Sequence, residues 1–339
     1  MALIDSLAAT SRRIHDGVRR RLFVKGGRRP VDVPDTSLAV PFGYRPDDAM
    51  PGPIAVVCHL FHDELAVEFR ESFKHLPVGT DLFLSTDTAA KAERIRIAFA
   101  GWEGGVDVRI APNQGRDIGP KLVTFADIYP RYALVLFVHG KRSMTSRIGD
   151  DWRRTLTSTL AGSPEVVRSI LHAFARHPRL GIVLPQHFEP IRQQLRWDGN
   201  FLIARRLARR MGFRLHRRMV LELPAGSMFW ARPAALRPLL DLQLSHADFP
   251  PERGQLRGTV QHAVERLFLF ACEAAGFDWV KVADPHRYPA TAHIEPVPSP
   301  SALDQLVAHP PLRLLPDGSA TRYLRPASPC FLVGAPKPL

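Results

Sequence analysis

The chain has 339 residues, 45% of them hydrophobic, which is enough to bury one large core or two smaller ones. Its formal net charge of +13, from 46 Lys and Arg against 33 Asp and Glu, favours anionic partners such as nucleic acid, an acidic membrane surface or phosphorylated substrates. The three cysteines, Cys58, Cys272 and Cys330, are far apart and form no CxxC pair, which argues against a disulfide framework or a cysteine zinc site and fits a reducing compartment.

The amino-terminal segment 1–30 combines a helical apolar pattern with many basic residues. Apolar side chains recur from Leu3 to Leu22 at spacings of three and four, which predicts one face of a helix. Between Arg12 and Arg29 the only acid is Asp16. Such a basic amphipathic helix can lie on an anionic membrane leaflet, and the alternatives are a helix packed on its own domain or a frayed terminus.

No apolar run approaches the roughly 20 residues that cross a bilayer, and the first residues lack the apolar stretch and cleavage site of a secretory signal. We therefore expect a cytoplasmic protein, held on the inner face of the cytoplasmic membrane if the basic helix binds lipid. Glycine and proline residues predict a linker over 31–53.

From residue 54 onward predicted strands and helices alternate. The strands are Ile54–His59, Asp81–Ser85, Val106–Ile110 and Leu134–Val138, and the helices cover 64–76, 89–100 and 120–129. This order indicates an α/β fold with a largely parallel sheet and right-handed crossovers. The segments His59–Glu64, Thr86–Asp87, Asn113–Asp117 and His139–Ser143 then lie at one edge of the sheet, where open α/β folds bind ligands.

The second half, 151–284, continues the pattern. It contains predicted helices at 164–176, 201–211 and 259–275 and predicted strands at Leu180–Leu184, Ser227–Ala231 and 279–283. The segment 285–339 is rich in proline and is predicted to be an extended lid or packing strap rather than a domain.

Two motifs at the predicted sheet edge carry cations. In the run NQGRDIGP, Arg116 and Asp117 lie in the turn before a helix. Arg116 can bind a phosphate or carboxylate there or form a surface salt bridge, and Asp117 can cap the helix. In VLFVHGKRS, His139, Lys141 and Arg142 follow a strand, and no acid lies within 135–149. A diphosphate bound here would be neutralised by these cations instead of a metal ion, and the alternative is a solvated basic turn.

Two further stretches can line the same cleft. On the predicted helix 259–275, His262, Glu265 and Arg266 lie opposite the apolar face, so Glu265 can act as an ionised base or belong to an exposed charge pattern. Met228 and Trp230 can form a wall for a sugar ring or belong to the core. Asp248 and Glu252 lead into the Glu265 helix and can face the same cleft.

The order of these motifs resembles the rhamnan synthesis protein F family. The runs that carry the resemblance are NQGRDIGP (113–120), VLFVHGKRS (135–143), DDWRRTLTSTLAGS (150–163), LGIVLPQ (180–186), Trp197 with Asn200, PAGSMFWARPAAL (224–236) and DFPPERGQLRGTVQHAVERL (248–267). The resemblance covers roughly 54–284. It implies a GT-A-like nucleotide-binding β/α sheet with helices on both faces, in which 54–150 binds a nucleotide sugar and 151–284 forms the acceptor side.

The resemblance also implies roles for individual residues. His59, Asp87, Asn113, Arg116, Asp117, His139, Lys141 and Ser143 would bind the donor, Glu265 would be the catalytic base, and Met228, Trp230, Asp248, Glu252, His262 and Arg266 would line the acceptor side. One departure is Gly140, where the family usually has threonine. Without the threonine hydroxyl, the contacts to the nucleotide-sugar donor are expected to differ from those usual in the family.

The implied reaction is an inverting transfer of a deoxysugar from dTDP-rhamnose to a glycan or lipid-linked acceptor, without a metal ion or another cofactor. Two other functions stay open at this point. The arginine block between Arg205 and Arg218 favours nucleic-acid binding, although it contains a single aromatic residue, Phe213, and no known nucleic-acid motif. The second open function is that of a polysaccharide-assembly partner, which has the same fold but no catalytic activity.

Overall fold

In a computed structural model the described residues are 33–48, 50–140, 148–192, 195–252, 258–288 and 293–316. They form one mixed sheet with helices on both faces, which confirms the predicted α/β class. The strands are β1 (Thr36–Ala39), β2 (Ile54–His59), β3 (Asp81–Thr86), β4 (Val106–Ile110), β5 (Leu134–His139), β6 (Leu180–Pro185), β7 (Phe229–Ala231), β8 (Asp278–Ala283) and β9 (His293–Glu295). Their order in the sheet is β4-β3-β2-β5-β7-β6-β8-β1-β9.

The α-helices of the described segments lie between these strands in the chain, except the last, which follows β9. They are α1 (Ala66–Phe73), α2 (Ala89–Ala98), α3 (Ile148–Ala161), α4 (Pro164–Arg176), α5 (Glu189–Arg192), α6 (Phe201–Arg210), α7 (Arg237–Leu240), α8 (Val260–Glu265), α9 (Phe268–Ala274) and α10 (Pro300–Ala308). Short 3₁₀ turns occur at Asp63–Leu65, Tyr129–Arg131, Asp198–Asn200, Pro233–Leu236 and His246–Asp248, and a π-helical turn spans Pro120–Thr124.

The strand β7 joins two parallel sets of strands. β2, β3, β4 and β5 are mutually parallel where they pair, and so are β6, β8, β1 and β9. β7 runs antiparallel to both β5 and β6. The central strands are buried on both faces, which is why they read as continuous apolar runs in the sequence.

Each face of the sheet carries its own core. On one face Val57 and Phe137 pack with residues of α6 and α9, among them Phe268. On the other face Val56 and Trp230 pack with α1, α3, α4 and α10. Side chains of successive strand residues point to opposite faces, so one run of apolar residues supplies both cores.

The segments predicted as linker and tail both contribute to the sheet, so those two predictions need correction. β1 lies within 31–53 and pairs with β8 and β9, and Asp35 beside it forms ion pairs with Lys281 and Arg192. β9 and α10 lie within 285–339, and Leu303 of α10 is fully buried. The predicted helix 1–30 lies outside the described residues.

Two predicted helices are interrupted in the structure. In each, a side chain donates a hydrogen bond to a backbone carbonyl oxygen that would accept from the backbone in a regular α-helix. In 120–129 the Tyr129 hydroxyl donates to the Lys121 carbonyl oxygen, and Phe125 N–H instead donates to Pro120 O at 3.1 Å. In 259–275 the Arg266 guanidinium donates to the His262 carbonyl oxygen at 2.7 Å, and the helix breaks between α8 and α9.

Candidate functional site

A cavity of about 440 Å³ opens at the carboxyl edge of β2 and β5. His59 ends β2 and His139 ends β5, and the two are paired in register. The cavity is lined by His59, Phe61, His62, Asn113, Arg116, Asp117, Ile118, His139, Gly140, Gly226, Ser227, Glu252, Gln261, His262 and Glu265. Eight of the residues predicted from the sequence therefore share one cavity: His59, Asn113, Arg116, Asp117, His139, Glu252, His262 and Glu265.

The two strand-end histidines form the floor of the cavity. His59 Nδ1 lies 3.0 Å from Ser85 Oγ at the end of β3. Burial lowers the pKa of His59 to about 4, against the opposing effect of Asp117, so this imidazole is neutral at neutral pH. His139 Nε2–H donates to the Gly226 carbonyl oxygen at 2.7 Å and lies 4.0 Å from Asp117 Oδ1. Two imidazole rings and the Asp117 carboxylate thus line the cavity at the strand ends.

Asp117 is balanced by a buried lysine behind it. Lys121 Nζ donates to Asp117 Oδ2 at 3.2 Å and to the Ser227 carbonyl oxygen at 2.8 Å. Burial alone would raise the pKa of Asp117, but His139 and Lys121 outweigh it and lower the pKa to about 2. The carboxylate is therefore ionised and paired, and its side chain does not serve as a helix cap.

The turn 114–119 places Arg116 at the rim of the cavity. Gly115 and Arg116 both have positive φ, at 76° and 53°. Arg116 Nε donates to Glu252 Oε2 at 3.1 Å, while Asn113 is exposed at the same rim. An anion that enters the cavity can therefore exchange with Glu252 for the guanidinium.

Glu265 faces the floor from the end of α8. Its Oε1 accepts a hydrogen bond from Gly226 N–H at 3.0 Å, and its Oε2 lies 3.7 Å from the Arg266 guanidinium. Gly226 has a φ of 87°, and a Cβ there would lie 2.8 Å from Leu156 Cδ1, so no other residue fits without a shift. The carboxylate is therefore hydrogen-bonded through Oε1, lies beside Arg266 through Oε2, and lines the cavity.

Two other residues of α8 line the same wall. His262 Nδ1 lies 2.6 Å from Thr259 Oγ1, and burial lowers the pKa of His262 to about 4. Gln261 is 2% exposed, and in the described part of the chain neither its Oε1 nor its Nε2 has a hydrogen-bond partner. Gln261 was not predicted from the sequence, although its i, i+4 spacing from Glu265 puts both on one helix face.

Several predicted site residues lie elsewhere. Met228 and Trp230 are fully buried in the core that contains residues of α1, α3, α4 and α10, and Trp230 Nε1–H donates to the Leu160 carbonyl oxygen at 3.0 Å. They form no wall for a sugar ring, which corrects that expectation. Asp248 is exposed and accepts hydrogen bonds from the Ser245 backbone and hydroxyl.

The remaining predicted residues lie beside the cavity or outside the described segments. Asp87 pairs with Lys91 at 2.6 Å, and Lys91 Nζ lies 4.1 Å from the ring centroid of the cavity residue Phe61. Arg266 is buried and donates to the Arg196 carbonyl oxygen at 2.7 Å. Lys141 and Ser143 are not among the described residues, and neither is Arg142.

The described segments lack two further features. They contain no group of three or more His, Cys, Asp or Glu residues arranged to hold a metal ion. No helix in those segments has both the length and the apolar character needed to cross a membrane.

Two solved structures resemble this chain weakly. Both are of glucosyl-3-phosphoglycerate synthase from Mycobacterium tuberculosis, one with Mn²⁺, UDP and glucosyl-3-phosphoglycerate and one with UDP. The first is 11% identical with a TM-score of 0.34 and covers 81% of this chain and 85% of that one. The second is 14% identical with a TM-score of 0.33 and covers 78% and 95%. Similarity this low supports no conclusion about the ligands of this chain.

The sequence comparisons are stronger and agree with each other. Protein WxcX from two strains of Xanthomonas campestris pv. campestris is 35% identical over 225 residues, which is 65% of this chain. The chain spans only 31% of the length of these relatives. The profile of the rhamnan synthesis protein F family matches residues 44–277, which contain every cavity residue named above. The chain belongs to the rhamnan synthesis protein F family.

Proposed function

We propose that this chain is a glycosyltransferase that moves rhamnose from dTDP-rhamnose to a growing surface polysaccharide or a lipid-linked glycan. The observation that carries the proposal is the cavity at the sheet edge, where the Glu265 carboxylate faces the same space as His59, His139 and Arg116. Membership of the rhamnan synthesis protein F family supports the choice of sugar. The cavity volume of about 440 Å³ is in the range of small-molecule sites.

Glu265 is the proposed general base. It removes the proton from the acceptor hydroxyl while that oxygen forms a bond to the anomeric carbon and the bond to the diphosphate breaks. The hydrogen bond from Gly226 N–H orients the carboxylate through Oε1, and Oε2, which lies 3.7 Å from the Arg266 guanidinium, is the oxygen that accepts the proton. A single carboxylate base opposite the leaving group corresponds to one displacement with inversion at the anomeric carbon.

Arg116 and His139 are the proposed partners of the departing diphosphate. Arg116 can replace its contact with Glu252 by a bidentate contact with phosphate oxygens, and His139 lies at the strand end on the same floor. Lys141 and Ser143 belong to the same proposal through the sequence alone. In this account fixed cations take the place of a divalent metal ion.

The test is Glu265→Gln in the full chain. The amide keeps an oxygen to accept from Gly226 N–H, so we expect the fold and dTDP binding to be retained while the base is lost. Release of dTDP from dTDP-rhamnose, with a rhamnan oligosaccharide as acceptor, should fall by about 10²- to 10⁴-fold. The matched control is Glu93→Gln on the exposed surface of α2, which should keep wild-type turnover.

Each outcome discriminates. Wild-type turnover by Glu265→Gln would contradict the assignment of the base. A wild-type protein that binds dTDP-rhamnose but neither transfers nor hydrolyses it would instead support a non-catalytic assembly partner. The same reactions are run in EDTA, where transfer should persist, and a strict requirement for Mn²⁺ or Mg²⁺ would contradict the metal-free account.

A further inference from the structure

Gln261 stands out among the residues that line the cavity. It is 2% exposed, yet neither its carbonyl oxygen nor its amide nitrogen has a hydrogen-bond partner among the residues that the structure describes. Among the described residues that line the cavity, no other side chain has a buried polar atom in this state. A buried amide without partners lowers stability, so its presence in a cavity wall indicates that a ligand provides those partners.

The hydrogen-bonding groups of the amide limit which ligands can bind to it. The carbonyl oxygen requires a donor and the NH₂ group requires an acceptor. Phosphate oxygens of a diphosphate offer acceptors only, so they would leave the carbonyl unpaired. Two adjacent hydroxyl groups of a sugar offer both functions, and so does the edge of a pyrimidine base.

Position on the helix decides between sugar and base. Gln261 and Glu265 are four residues apart on α8, so their side chains are neighbours on one face. Under the proposed function, Glu265 acts at the anomeric carbon, where the sugar rings meet. The base lies at the far end of the donor, beyond the diphosphate. Its edge cannot reach the helix turn beside Glu265 while the anomeric carbon is also there.

We infer, on the basis of the proposed function, that Gln261 binds two adjacent hydroxyl groups of the sugar ring at the reacting position and thereby determines which sugar the site accepts. The ring belongs either to the donor or to the acceptor, since both meet at Glu265. Gln261 takes no proton and contributes to recognition alone.

The experiment compares wild type with Gln261→Met, which keeps the length of the side chain and removes both polar atoms. Binding of dTDP and of dTDP-rhamnose is measured by calorimetry, and KM is measured for the acceptor oligosaccharide. We expect dTDP affinity to be unchanged. A 10- to 100-fold loss in affinity for dTDP-rhamnose would assign the donor sugar, and a similar rise in acceptor KM would assign the acceptor sugar.

The unliganded protein gives an independent readout. Since the amide has no partner to lose, the melting temperature of Gln261→Met should equal or exceed that of wild type. A clear decrease would overturn the inference, because it would mean that the amide supports the fold. The control is Gln305→Met at an exposed position of α10, which should change neither binding nor melting.

Failure of the inference and failure of the proposed function give different results. Unchanged binding of dTDP-rhamnose together with unchanged acceptor KM in Gln261→Met overturns the inference and leaves the function standing. If Gln261→Met loses affinity for dTDP as strongly as for dTDP-rhamnose, the inference is also overturned. That result would mean that Gln261 contacts the nucleotide and not the sugar. A wild-type protein that binds neither dTDP nor dTDP-rhamnose overturns the proposed function and the inference with it.

Discussion

Lys121 is the residue whose role depends most on tertiary structure. Its side chain is 2% exposed, and its Nζ lies 5.0 to 5.2 Å from the ring centroids of Phe137, Phe229 and Phe268. Burial lowers the pKa of Lys121, while the ion pair with Asp117 opposes that effect. The Asp117 carboxylate therefore lines the cavity with the Lys121 ammonium group behind it, and each charge is stabilised by the other.

Lys121→Met should lower the free energy of unfolding by about 3–5 kcal/mol, because Asp117 would remain buried without its ammonium partner. Urea denaturation of the full chain measures this change. The double variant Asp117→Asn with Lys121→Met removes both charges and should recover much of the loss. A double variant no more stable than the sum of the two single changes would contradict the coupling.

The turn 114–119 is the element that positions Arg116 and Asp117. Gly119 has an α-helical φ of −57°, so the constraint on it comes from space alone. A Cβ at Gly119 would lie 2.5 Å from the Gln114 carbonyl oxygen, a backbone atom that cannot move aside alone. The turn therefore has no room for a side chain at position 119.

Gly119→Ala should lower the free energy of unfolding by about 1–3 kcal/mol and also weaken dTDP binding, because the turn must open to admit the methyl group. Thermal unfolding and calorimetry measure the two effects. Gly43→Ala is the matched control, since its nearest atoms would be 3.4 Å from the new Cβ. Equal melting temperatures for the two variants would refute the steric account.

The sequence predicts the central strands well and the β1–β9 edge of the sheet poorly. The apolar runs at β2, β5 and β6 have predicted bounds within one residue of those observed, because strands covered on both faces must be apolar throughout. β1 has four residues of mixed polarity, and β9 has three. Such short strands form only because neighbours accept their hydrogen bonds, which no local pattern encodes.

For the whole molecule, the sequence predicts which edge holds the cavity but not which side chains face it. Parallel strands end at one edge, so His59, Asn113, Arg116, Asp117 and His139 could be grouped in advance. In a strand covered on both faces, the face of each apolar residue depends on packing. The prediction that Met228 and Trp230 form a wall of the cavity was therefore wrong. Gln261, which is polar but buried, was not predicted to line the cavity.

Several histidines spread over the molecule are buried, and together they make its stability depend on pH. Burial lowers the pKa of His59 and His262 to about 4 and also lowers the pKa of His172, His177, His187 and His246. In the unfolded chain these groups titrate near 6.5. The folded state consequently binds fewer protons than the unfolded state below that pH.

The free energy of unfolding should therefore fall as the pH decreases from about 6.5 towards 4. Above 6.5 the histidines are neutral in both states and the difference vanishes. Below about 4 the folded forms of His59 and His262 also take up protons, so their loss levels off. With about 1.4 kcal/mol for each pKa unit, His59 accounts for a loss on the order of 3 kcal/mol.

Urea denaturation at pH 7.5 and pH 5 measures this decrease, and His59→Gln should reduce the difference while the exposed His286→Gln should not. Asp117, with a pKa of about 2, does not contribute in this window. Its stabilisation is complete above its unfolded pKa near 3.9 and is lost only at lower pH. Equal unfolding free energies at the two pH values would mean that the histidines are hydrated in the folded protein.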